Sequence, residues 1–150
     1  MPEHQDAAFR TFEDLDVYKK AREFRKRMYA VARKLPDSEK YELGRQIHRA
    51  AVLTNNIAEG HGRYHYLDEI KFQLQSRGSL AELLDDLNVC QDENYLPAAE
   101  IVELKERAKE VQRLINGYIR FLRERKAGAS LVVRESTVED EPLYEFRDAL

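Results

Sequence analysis

The chain has one cysteine, Cys90, no tryptophan, four prolines and six glycines in 150 residues. A lone cysteine cannot form an internal bridge, so no disulfide framework stands in for a packed core. With no cysteine pair, and no basic-then-apolar leader following Met1-Pro2, the expected compartment is a reducing cytoplasm. Long hydrophobic runs are missing too. The longest charge-free stretch within the periodic part, Ala50 to Ala58, falls far short of the roughly 20 apolar residues that cross a bilayer, so no membrane partner is expected. There is no Gly-rich phosphate loop, nucleophile elbow, CxxC pair or carboxylate pair at metal spacing, which removes the common signatures of enzymes. The chain therefore reads as a non-enzyme with no cofactor. Its length suits one globular unit able to bury about 68 to 70% of its extended surface without a metal or disulfide staple.

Charge is plentiful and unevenly placed. The formal net charge is -3. Residues 1–14 set Glu3, Asp6, Glu13 and Asp14 against Arg10, and residues 129–150 set Glu135, Glu139, Asp140, Glu141, Glu145 and Asp148 against Arg134 and Arg147. Setting aside these contributions of -3 and -4 leaves residues 15–128 at +4, a mildly basic body between acidic ends.

That body carries four helical patterns. From Asp16 to Leu35, the residues Val17, Ala21, Phe24, Met28, Val31 and Leu35 recur every three or four positions, the spacing of a helical seam. Leu35-Pro36 stops this helix, and Asp37, Ser38 and Glu39 cap and charge the start of a second. The second stripe is Leu43, Ile47, Ala50, Thr54 and Ile57. Ala58-Glu59-Gly60-His61-Gly62 closes it, with glycine expected in the left-handed conformation. A third helix starts near Tyr66 and shows Leu67, Ile70, Leu74, Ala81 and Leu84, beside a further stripe of Leu80, Leu83, Leu87 and Cys90. Asp92-Glu93-Asn94 breaks it. Pro97 then suits the first turn of a fourth helix running to about Lys126 through Ile101, Leu104, Ala108, Val111, Ile115, Tyr118 and Leu122.

No window alternates with period two for long enough to make a core strand, and the connections are short. The expected fold is all-α: an antiparallel up-down-up-down four-helix bundle over residues 15–126. Residues 1–14 form an N-terminal extension, and residues 127–150 an acidic tail beginning with a linker, Ala127 to Ser130. The third and fourth helices are apolar beyond one seam, which points to burial against another copy or to a broad core within one chain. On the first reading Leu80, Leu83, Leu87, Leu114, Ile119 and Phe121 are the subunit contacts.

Chemistry is sought first on the first helix, which carries eight lysines and arginines. At 100° per residue, Lys19, Arg22, Lys26 and Arg33 fall within roughly 60° of one another, opposite the seam. Such a ridge fits a phosphate backbone, where each neutralised phosphate releases counterions; an ordinary solvated face is the alternative. His61, His65 and Glu69 are spaced four apart, which on an unbroken helix would put three zinc ligands on one face, but Gly60 and Gly62 place His61 in a turn. No metal site is expected. A histidine-based ribonuclease with Arg63 steadying a phosphate rests on the same residues, and His4 and His48 have no sequence-local partners. Asn56, Glu59 and Arg63 are candidates for a hydrogen-bonded polar cluster or for a solvated helix end. Gly78 costs its helix about 1 kcal/mol, which close approach of another backbone would explain.

Phe12-Glu13-Asp14-Leu15 with Val17-Tyr18, Leu35-Pro36 with Glu39, Gln46-Ile47, Arg49-Ala50-Ala51, Asn56-Ile57-Ala58-Glu59-Gly60 with Gly62-Arg63, and Gly78-Ser79-Leu80 with Glu82 follow one another in order. Over residues 12 to 126 this set resembles the 23S rRNA-intervening-sequence protein family of bacterial four-helix-bundle proteins. The resemblance implies a homopentamer, with the reading frame often lying inside an inserted segment of a large-subunit rRNA gene. It implies no established activity. The family is distantly similar to the accessory protein of diversity-generating retroelements, whose basic pentameric bundle holds a reverse transcriptase and nucleic acid.

The leading expectation is a non-enzymatic, homo-oligomeric bundle that binds structured RNA or another nucleic acid through its first helix, as an accessory or scaffold. The alternative is a scaffold that recruits a protein partner through the tail, whose Leu131, Val132, Val133, Val138, Leu143, Tyr144, Phe146 and Leu150 suit docking.

Overall fold

The computed structural model describes residues 11–63 and 65–129. The tail from residue 130 onward, with the docking residues expected there, lies outside the described residues. A capped turn opens the described chain. Thr11 Oγ1 accepts from the Glu13 amide at 3.2 Å and Asp14 Oδ2 accepts from the Thr11 amide at 3.1 Å, a reciprocal cap on the short 3-10 helix Phe12–Asp14. Phe12 packs edge-on against Tyr18 at 4.9 Å, so the folded unit begins before residue 15.

Five α-helices follow: α1 Asp16–Lys34, α2 Leu43–His48, α3 Ala50–His61, α4 Tyr66–Asp92 and α5 Ala98–Ala129. Among the described residues there is no strand, and no helix is long and apolar enough to cross a membrane. Four helical segments are present as the periodicity predicts, but the second is broken into α2 and α3. The break falls at Arg49, whose ψ of -2° departs from helical geometry. Tyr29 Oη donates to the His48 carbonyl beside it at 3.3 Å, and the two rings meet edge to face at 4.8 Å. A side chain from α1 thus takes up a carbonyl at the break, a tertiary contact that local pattern does not encode.

α1 packs against α3 and α5, and α4 packs against α2, α3 and α5. Pairs between neighbours run in opposite order along the chain. Lys20, Arg27 and Lys34 of α1 meet Glu110, Glu103 and Glu100 of α5, while Arg77 and Asn88 of α4 meet Asn116 and Lys105. Phe24, Met28, Ile47, Leu53, Ile57, Leu104 and Ile115 fill the interior between them.

Three expectations change. Leu80, Leu83, Leu87 and Ile119 lie inside this core with at most 1% of their surface exposed, so none can touch a second copy. The reason is that α4 serves three neighbouring helices at once and α5, which carries Ile119, serves α1 and α4, so the wide apolar faces are consumed within the chain. Of the six expected interface residues, Leu114 is half-buried and only Phe121 is exposed. Ala127, Gly128 and Ala129 are the last turn of α5 rather than a linker, as the helix propensity of alanine favours. No described glycine has a positive φ; Asn94, between α4 and α5, takes the left-handed conformation with φ of 58°. Gly60 is instead a point of close approach, discussed below, and Gly78 has open space around it within the chain.

Candidate nucleic-acid interface

The basic residues of α1 divide into two flanks. On the flank facing α5, Lys20 reaches Glu110 at 3.2 Å, Arg27 reaches Glu103 at 2.6 Å and Lys34 reaches Glu100 at 3.2 Å. The cations are seven apart, so two turns of helix separate each from the next. Arg27 and then Arg107 hold the Glu103 carboxyl below its ordinary range. Charge on this flank is balanced.

The other flank is not. Lys19, Arg22 and Arg33 are exposed, and among the described residues no carboxylate lies within ion-pair distance of any of them. Lys26 is exposed and has one acid nearby, Glu23 on its own helix at 3.7 Å. Arg25, which sequence periodicity does not single out, is half-buried and donates from Nη1 to Thr54 Oγ1 of α3 at 2.9 Å. Thr54 is itself buried and donates to the Ala51 carbonyl at 3.2 Å, which leaves its oxygen oriented to receive the guanidinium. A surface groove of about 620 Å³ runs here, lined by Glu23, Arg25, Lys26, Arg27, Tyr29 and Arg33, with Ala51 from α3. The structure thus brings Lys26 and Arg33 into one groove and leaves Lys19 and Arg22 on the exposed face beside its lining.

The expected polar cluster is only partly formed. Arg63 Nη2 donates to Glu59 Oε1 at 2.9 Å, and the guanidinium lies over the Phe72 ring at 5.0 Å. Asn56 joins neither. An exposed pair of this kind contributes about 0.2 to 1 kcal/mol.

A more deeply buried polar layer lies between α3, α4 and α5. Tyr118 Oη donates to Glu69 Oε1 at 3.3 Å, and His61 Nδ1 is 3.5 Å from the same hydroxyl. Burial raises the Glu69 carboxyl above its usual range, partly offset by the Tyr118 bond. Burial, then Glu69, raises the Tyr118 phenol as well. His65 is exposed and stands apart, and no group of three metal-binding side chains exists among the described residues. The His61, His65, Glu69 set therefore does not converge.

Gln73, in the same layer, is fully buried, and neither its amide nitrogen nor its oxygen has a hydrogen-bond partner among the described residues. Replacing a buried unpartnered amide with an apolar chain of similar shape removes its desolvation cost. Gln73→Met is expected to raise stability by about 1 kcal/mol, read as a higher urea midpoint at unchanged slope. A lower midpoint would show that the amide is bonded in solution.

The family model described as 23S rRNA-intervening sequence protein matches residues 13–117. The chain belongs to this family. The match runs from the capped turn through α1, α2, α3 and α4 and into α5, so the basic flank, the groove and His61, Glu69 and Gln73 of the polar layer lie within the family region, with Tyr118 just beyond it. The family's description names no reaction. No curated protein matches the chain.

Proposed function

We propose that the protein binds nucleic acid through the phosphate-facing basic flank of α1, as a non-enzymatic accessory or scaffold protein of the cytoplasm. The observation that carries this reading is the sorting of charge on one helix. Cations facing α5 are each matched by a carboxylate, whereas among the described residues none lies within ion-pair distance of Lys19 and Arg22, beside the groove, or of Arg33, which lines it with Lys26 and Arg25. A merely solvated helix has no need to segregate its counterions in this way. An unmatched row of cations concentrates positive potential where a polyanion can reach it.

The test is the fourfold variant Lys19→Glu, Arg22→Glu, Lys26→Glu and Arg33→Glu. All four side chains are exposed, so far-ultraviolet circular dichroism is expected to stay unchanged. Binding of structured RNA is expected to fall by at least about a hundredfold, because four counterion-releasing contacts become four repulsions. Retained binding with retained helicity would overturn the assignment to α1.

We read the bundle as up-down-up-down and its assembly as a homopentamer. The antiparallel order of the interhelical pairs supports the first, and the family resemblance supports the second. Native mass spectrometry is expected to give five times the 17.6 kDa chain mass; a monomer would remove the oligomer from the proposal.

A further inference from the structure

Resting on the nucleic-acid reading above, we infer that the ligand of this face is the paired backbone of a double helix, held by its phosphates with little regard to base sequence. The first support is the state of the aromatic residue in the groove. Proteins that hold single strands combine a basic groove with aromatic rings on which bases stack. Among the described residues lining this groove the aromatic is Tyr29, which is not free for that role. It is half-buried, its hydroxyl is given to the His48 carbonyl, and the His48 ring packs against it at an interplanar angle of 73°. Tyr41, which is 72% exposed, belongs to the turn before α2 and not to the groove lining.

The second support is the kind of donor present. Reading base edges relies heavily on asparagine, glutamine and arginine forks. α1 contains no asparagine or glutamine. Two arginines of the groove are committed, Arg25 to Thr54 and Arg27 to Glu103. What remains toward solvent is Lys26 and Arg33, with Lys19 and Arg22 alongside, cations that hold phosphate oxygens on any sequence and come without the asparagine or glutamine that would read adenine.

Length supplies the third. From Lys19 to Arg33 the helix rises about 21 Å, more than the roughly 12 Å width of a major groove. A straight row of that length meets phosphates of both strands of a duplex. A single strand would have to lie extended along the helix axis to meet the same four charges. The 12 Å width is that of B-form DNA; RNA and DNA duplexes share the paired phosphate backbone that the four charges contact.

Fluorescence anisotropy on the full chain tests this with blunt duplexes of about 20 base pairs, two helical turns, in RNA and DNA forms and two unrelated sequences, beside each component single strand. The two sequences are expected to bind within about threefold of one another, with single strands at least about tenfold weaker. Affinity should fall about tenfold per doubling of salt if four phosphates are neutralised. Glu23→Gln, which removes the acid beside Lys26, should tighten duplex binding by about threefold. Preference for one duplex type would support the inference and identify RNA or DNA as its source. Single strands less than tenfold weaker, or duplex sequences differing by more than about threefold, would overturn it while leaving the nucleic-acid reading in place. No binding by any probe would overturn both.

Discussion

Asp86→Asn is expected to stabilise the protein at pH 7 by about 2 to 3 kcal/mol and to lose that advantage in acid. Asp86 is 5% exposed on the inward side of α4. Burial, followed by repulsion from Asp85 and Glu82, pushes its carboxyl up to about 6 against Arg49, which pulls the other way. Arg49 gives only partial relief, because it is also 3.9 Å from Glu82. A carboxyl whose folded pKa exceeds its unfolded one favours the folded state when protonated. The parent is therefore more stable below about pH 4, and loses that increment as pH rises through about 6. Asparagine keeps the shape and never pays the ionisation cost. Thermal unfolding at pH 4 and pH 7 measures the effect: the gap between variant and parent should be wide at pH 7 and close at pH 4. An equal gap at both would mean that Asp86 titrates normally.

The second large effect has the opposite sign. Gly60→Val is expected to destabilise by about 3 kcal/mol, the upper end of the cost of forcing extra volume into a packed contact. A Cβ at residue 60 would stand 2.9 Å from the Phe72 Cβ and 3.4 Å from the Glu69 carbonyl oxygen. Neither is the free end of a flexible chain, so α3 and α4 must separate to admit it. Gly78→Ala is the control, since a Cβ there meets nothing within 4 Å. Gain of helix propensity should stabilise that variant by about 0.5 to 1 kcal/mol. Guanidinium denaturation of both variants checks the pair. A neutral Gly60→Val would refute the close approach, and a destabilised Gly78→Ala would show that a second molecule packs on that glycine.

Helix existence was legible because period-three-and-four apolar spacing is a property of contiguous sequence. Val17 through Val31 and Ile101 through Leu122 are buried as that spacing predicts, apart from Tyr118, which is half-buried. What escaped depends on residues distant in the chain. The Arg49 break is tied to Tyr29 of α1, and Gly60 is dictated by the approach of Phe72 rather than by its own φ. Leu80, Leu83 and Leu87 looked surplus because the number of neighbours α4 must serve is not written in its own periodicity. Nothing in the local pattern singles out Asp86 and Gln73, which fold into the interior. Of the basic face, the positions of Lys19, Arg22, Lys26 and Arg33 were readable. Arg25 was not, because its partner Thr54 lies on another helix.

The ladder of Lys20, Arg27 and Lys34 on Glu110, Glu103 and Glu100 adds little to folding, since every member keeps part of its side chain in solvent and a surface pair contributes about 0 to 1 kcal/mol. Its consequence is kinetic. By cancelling charge along one side of α1 and leaving the other side bare, it gives the surface an electrical direction. An anionic body approaching from several ångströms away is turned toward the bare side before any atom touches, and the number of unproductive collisions falls. Within a Debye length of about 8 Å at physiological salt, that orientation is set by where the carboxylates of α5 stand.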